Sequence, residues 1–219
     1  MIYGPNEIHK CPECGKLYIK RTLVSGNTTG ARYYTDGKMV ASLMEEFPQI
    51  TKCKNCFTIF WLDNPINEVH EGDDENEVYK DTLFASFLKP YDYLQSINMV
   101  LFRDQNEETY LRMKLWYTFN DRVRDLSSEN DEKIFYQELF TEELDVVLYE
   151  NNCRKLIEIQ DKVADNRIVA IAELKRNLTL YDESIAVLDT VTTPQYQFAI
   201  KCIRNLCEMK NRYTRLFET

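Results

Sequence analysis

The hydrophobic pattern changes period near residue 78. Before that point apolar residues come in short runs, and "KLYIKRTLV" (16–24) and "FTIFWLD" (57–63) have the β-branched and aromatic content of strands. "ARYYTDGKMV" (31–40) sets Asp36-Gly37 between two apolar runs and predicts a hairpin. "ASLMEEF" (41–47) predicts one or two helical turns, stopped by Pro48. From Val78 onward the spacing becomes helical. Leu83, Phe84, Phe87 and Leu88 share one face, as do Tyr91, Leu94, Ile97 and Leu101 once Pro90 has restarted the chain. Further stripes run through Leu111, Leu115 and Phe119, then Ile134, Phe135 and Leu139. Another joins Leu144, Val147, Leu148, Leu156, Ile159 and Val163. Ile171 and Leu174, Ile185 and Leu188, and Ile200 and Ile203 after Pro194 complete seven or eight predicted helices.

Glycine and charge sharpen this division. Five of the six glycines fall in the first 37 residues, and none follows Gly72, a distribution suited to turns and metal loops first and helices afterwards. "NEVHEGDDENEVYK" (67–80) carries six carboxylates in fourteen residues and predicts a solvated linker. The expected fold class is α+β. A small β module at 1–64 leads through an acidic linker at 65–77 to an all-α domain of helical hairpins at 78–219. Of the net charge of −9, residues 1–64 contribute +2 and the remainder −11. An acidic bulk repels phosphate backbones, so nucleic acid is expected only at 1–64, through Arg21, Arg32, Tyr33 and Tyr34. No apolar run approaches the roughly 20 residues of a membrane span, and "MIYGPNEIHK" has no leader pattern. A cytoplasmic address with no membrane partner is the expectation.

In such a reducing compartment, paired cysteines are read first as metal or redox sites. Cys11 and Cys14, then Cys53 and Cys56, give C-x2-C-x38-C-x2-C. Each pair can turn two thiolates toward one ion, and two pairs supply the four sulfurs of a closed zinc site. Pro12 stiffens the first turn, Gly15 permits positive φ, and Lys10, Lys16, Lys52 and Lys54 offset the negative charge of a four-thiolate zinc centre. A redox dithiol, an iron–sulfur cluster or four unrelated buried thiols are the competing readings. The first lacks an alternating βα pattern, and the duplicated spacing argues against the last. Structural Zn2+ leads. His9 could replace one ligand but reads better as a surface neighbour, and Cys153, Cys202 and Cys207 read as small core fillers.

The CPECG stretch at 11–15 resembles the knuckles of zinc ribbons, which implies that Cys11, Cys14, Cys53 and Cys56 are the ligands. Two departures are the missing glycine after Cys56 and the long gap between pairs, within which the hairpin must be inserted. "AELKRNLTLYDESIAVLDTVTTP" (172–194) resembles a tetratricopeptide repeat. The likeness implies that Tyr181 and Ser184 allow two antiparallel helices to approach closely, although Thr179 stands where the turn glycine usually lies. The whole arrangement is similar to bacterial zinc-ribbon proteins with a helical tail, a likeness that implies no particular activity.

No catalytic constellation is legible. The chain has two histidines and no nucleophile elbow, phosphate loop or dinucleotide fingerprint. "YLRMKLWYTFNDRVRD" (110–125) could present Trp116, Tyr117 and Phe119 beside Arg112, Arg122 and Arg124 as a recognition surface. A central buried helix is the favoured reading. The expected function is therefore a non-catalytic zinc protein whose helical domain docks a protein or peptide, with a basic partner favoured by the charge. Nucleic-acid binding or regulation through the ribbon is the alternative.

Overall fold

The computed structural model describes residues 1–70, 79, 81–126, 132–160 and 165–217. It is mixed α/β, with small sheets in the amino-terminal half and helices after them. The chain groups into two compact units, Met1–Ala31 with Val40–Leu101, and Arg32–Met39 with Phe102–Thr219. This differs from a division at 65–77. Residues 67–69 of the expected linker are a strand, while its residues 71–77 lie outside those described.

In the first unit β1 (Ile2–Tyr3) pairs with β4 (Leu23–Ser25). β2 (Asn6–Lys10) and β3 (Leu17–Lys20) form an antiparallel hairpin in which Ile8 faces Ile19 and Lys10 faces Leu17. β9 (Asn67–Val69) and β10 (Leu83–Phe84) extend it to a four-stranded sheet in the order β10-β3-β2-β9. Ile8, Ile19 and Val69 form its small apolar core. A second hairpin joins β7 (Ile50–Lys52) to β8 (Ile59–Trp61). Two sequence expectations fail here. Residues 41–47 make one turn, Met44 N–H to Ala41 C=O at 3.2 Å, and no helix. Leu83 and Phe84 form a strand parallel to β3, because Pro90 ends any helix running into it and holds Lys89 extended at ψ 164°. Pro90 itself opens α1 (Pro90–Asn98).

The second unit contains α2 (Gln105–Asn120), α3 (Glu132–Leu139), α4 (Asp145–Ile159), α5 (Asp165–Asn177), α6 (Tyr181–Leu188), a 3-10 turn at Pro194–Tyr196 and α7 (Gln197–Glu208). It is not all-α in content. The strand pair β5 (Arg32–Tyr33) and β6 (Met39–Val40) flanks the turn Tyr34–Lys38, which belongs to this unit, and Gly37 takes φ 81° to close it. Thr35 N–H donates to Arg215 C=O at 2.9 Å and Phe217 N–H to Tyr33 C=O at 2.9 Å, so the carboxy-terminal segment lies along the hairpin.

α2 is central, as its aromatics imply. Trp116 and Phe119 are buried, and Trp116 Nε1 donates to Asn177 Oδ1 at 2.9 Å. α4 differs from its predicted stripe. Leu144 and Val147 are 65% and 55% exposed, and the buried face is Asp145, Tyr149, Asn152, Cys153 and Leu156; Val163 lies outside the described residues. The inward positions carry polar groups that meet partners: Tyr149 Oη donates to Asn120 Oδ1 at 2.9 Å, and Asn152 Nδ2 to Arg112 C=O at 2.9 Å. A pattern search for apolar residues passes over them.

α5, α6 and α7 enclose a core of Ala172, Leu188, Val191, Ile200, Ile203 and Cys207. Ser184 is fully buried and its Oγ donates to Ala172 C=O at 2.7 Å, which lets α6 sit close to α5. Without glycine, helix ends use other residues in the left-handed region. Val100 (φ 52°), Thr179 (φ 63°) and Lys210 (φ 53°) follow α1, α5 and α7. In each case the next residue's N–H bonds back five positions, to Ser96, Lys175 and Leu206 respectively.

Candidate metal centre

The two cysteine pairs sit in loops with the same backbone. Lys10 pairs with Leu17 across the mouth of the first loop, and Lys52 with Ile59 across the second. Cys11 N–H donates to Lys16 C=O and Cys53 N–H to Thr58 C=O, both at 2.8 Å. Gly15 N–H returns to Cys11 C=O and Phe57 N–H to Cys53 C=O, both at 3.0 Å. Each loop is therefore a six-residue knuckle that curls over its first cysteine. The curl requires a left-handed residue at the fifth position, and Gly15 takes φ 74° there without cost. Phe57 takes φ 63° at the corresponding place, where a side chain bears roughly 1–2 kcal/mol of strain. The glycine absent after Cys56 thus leaves the conformation unchanged.

The four sulfurs converge. Cys11 Sγ and Cys56 Sγ are 3.6 Å apart, Cys14 Sγ and Cys53 Sγ 3.5 Å apart, and all four lie within 4.8 Å of one another. A tetrahedron with metal–sulfur bonds of ~2.3 Å has edges of about 3.8 Å, close to these separations. They are far too long for disulfide bonds of about 2.05 Å. Cys11 and Cys53 are buried, Cys56 half-buried and Cys14 exposed, so the cluster lies at the edge of its unit. A soft four-thiolate set of this shape could hold zinc or iron.

The surroundings tune the thiols unequally. Burial pushes the Cys11 thiol up to about 12. At Cys53 burial also raises the pKa, but the Tyr18 hydroxyl and the amides of Cys56 and Asn55 outweigh it and hold the thiol down to about 6. The Asn55 side chain and the Lys16 amide lower Cys14. Tyr18 is the residue that sequence reasoning missed. It is buried, donates from Oη to Cys53 Sγ at 3.4 Å, accepts from Lys54 N–H at 2.6 Å, and meets Phe60 edge-on at 5.9 Å. Its place in "KLYIK" marks a strand and gives no hint of this contact.

His9 is buried and not on the surface as expected, its Nε2 held 3.1 Å from Glu7 Oε2 in strand β2, and it takes no part in the cluster. Cys153 and Cys207 are buried within the helical unit, and Cys202 is half-buried on α7; none belongs to the cluster. The residues expected to meet nucleic acid fall in both units, Arg21 in the first and Arg32, Tyr33 and Tyr34 in the second. Tyr34 is buried with its hydroxyl 3.3 Å from Asp125 Oδ1, and Arg32 is paired with the same carboxylate at 3.0 Å. Arg21 lies over the Phe84 ring at 4.5 Å. The charge split also changes once the real units are used. The first carries eight basic against thirteen acidic residues and the second nineteen against twenty-three. No helix among the described residues is long and apolar enough to cross a membrane. No family model, curated protein or solved structure matches the chain.

Proposed function

We propose that Cys11, Cys14, Cys53 and Cys56 bind one structural zinc ion, as in a zinc ribbon, and that the protein is a non-catalytic scaffold whose helical unit docks a protein or peptide. The convergence of four sulfurs from two matching knuckles carries the metal reading. Four thiolates fill a tetrahedral shell, so the ion offers no position for water or substrate and acts by cross-linking two hairpins with small cores. The test is metal analysis of the full-length protein with an absorption spectrum. One colourless equivalent of zinc, with loss of the β-unit signals on chelation, is the expected result. A metal-free folded protein, or the coloured spectrum of iron, overturns it.

The docking reading is supported by the close α5–α6 hairpin, which resembles a tetratricopeptide unit, and by the exposed pair Leu144 and Val147 at the start of α4. Leu144→Glu with Val147→Glu in the full chain should abolish cross-linking to a partner while leaving the circular dichroism melt unchanged. Undiminished cross-linking removes this reading.

A further inference from the structure

Phe57 breaks two rules together. It holds a left-handed backbone that favours glycine, and its ring is 69% exposed, so no burial within the fold offsets the strain. The fold alone would favour glycine, as at Gly15. An exposed aromatic at such a place is open to a ligand.

That ring lines a cleft of about 460 Å³ within the first unit, in the size range of small-ligand sites. Phe87, 43% exposed, lines it too, and buried Leu88 contributes an apolar patch. Three lysines reach the same cleft. Lys52 is committed to Asp92 at 2.7 Å, whereas the exposed side chains of Lys54 and Lys89 make no ion pair among the described residues, Lys89 meeting Asp92 through its backbone N–H alone. Flat apolar rings beside uncommitted ammonium groups match a ligand with a flat ring and a phosphate. A peptide strand fits less well, because Ser86 is the one hydroxyl lining the cleft and backbone amides would go unpaired. A duplex is disfavoured because its bases are already stacked on one another and leave no free face for the two rings.

We propose that this cleft binds a nucleotide, free or within a single strand, with the base against Phe57 and Phe87 and the phosphate between Lys54 and Lys89. The site needs only the knuckle conformation, so it stands whether the four cysteines hold zinc or iron. The test titrates the full-length metal-loaded protein with fluorescein-labelled oligothymidylate of eight residues, the matching duplex, and unlabelled adenosine monophosphate as competitor. Saturable single-strand binding at 50 mM salt is expected, weakened about tenfold or more by Phe57→Gly. Lys54→Gln with Lys89→Gln should flatten the logarithmic salt slope by about 0.7, the value for one lost phosphate contact. Competition by the mononucleotide identifies a free-nucleotide site, and its failure a single-strand site; either supports the proposal. Phe57→Gly also relieves the strained backbone, so its melting temperature should rise, which separates lost stacking from lost folding. Phe57→Asn, which tolerates the same φ, repeats the test should the glycine variant fail to fold. No saturable binding to either ligand, duplex bound as tightly as single strand, or full affinity in folded Phe57→Gly or Phe57→Asn overturns the proposal.

Discussion

Asp36 offers the sharpest test of how the helical unit is held together. Its carboxylate is fully buried and accepts from Arg124 Nη2 at 2.7 Å, Arg124 Nη1 at 3.1 Å and Asn120 Nδ2 at 3.0 Å. The Arg124 side chain is 4% exposed and keeps one other carboxylate, Asp121, which is 41% exposed. Asp36→Ala therefore leaves a buried guanidinium with half its compensation and a buried amide without its acceptor. Breaking a buried pair by removing one partner costs about 3–5 kcal/mol. For a unit of this size, with 1 kcal/mol worth about 3–5 °C, the helical transition should fall by roughly 10–20 °C. Because two units need not melt together, hydrogen exchange at the Tyr34 amide, bonded to Lys38 C=O within the hairpin, and at the Thr35 amide, bonded to Arg215 C=O of the carboxy-terminal segment, supplies the local readout. Adding Arg124→Met removes the stranded charge and should recover about half of the loss or more. A fall below about 3 °C, or strict additivity in the double variant, would refute the claim that this pair anchors the hairpin.

The other expectations are narrower. Zinc affinity should drop at least tenfold from pH 7 to pH 6. The Cys11 thiol, raised to about 12, holds its proton throughout that window, so binding must release it and acid competes. A competition assay with a chromogenic chelator showing flat affinity over that range would sink this. Thr179→Gly and Val100→Gly, which place glycine at left-handed helix ends, should each stabilise by about 0.5–1 kcal/mol in denaturant unfolding, and a loss of stability would show that φ is not the controlling term. Ser184→Leu should destabilise by about 1–3 kcal/mol, since Ser184 is fully buried against Ala172 C=O; an unchanged midpoint would mean that α5 and α6 are not closely packed.

Spacing carried the cysteine site because a knuckle is local. Six residues and two backbone bonds define it, and both ends are written in the chain as Cys-x-x-Cys. The helices were legible for the same reason, although exact faces were not. On α4 the inward side is built from Tyr149, Asn152 and Cys153, the first two with partners on α2, and no local pattern announces a polar residue satisfied from a distance. The domain boundary was the least legible feature. Composition divides the chain where glycine stops, but the fold divides it where buried polar groups pair. The hairpin at 32–39 joins the helices through Asp36, through Thr35 Oγ1 to Glu173 Oε1 at 2.7 Å, and through the carboxy-terminal strand-like segment. Glu173 is in turn held by Arg176 Nε at 2.8 Å, both side chains fully buried, so Thr35 meets one buried carboxylate–guanidinium pair and Asp36 is the carboxylate of another. The long gap between the cysteine pairs follows from this. The chain leaves the first knuckle, supplies the helical unit with a two-stranded polar anchor, and returns to form the second. Eight of the 38 intervening residues, 32–39, make that excursion and the others supply β3, β4 and β7 with their joints, and closing a loop of this size adds only slowly to the entropy cost of the site.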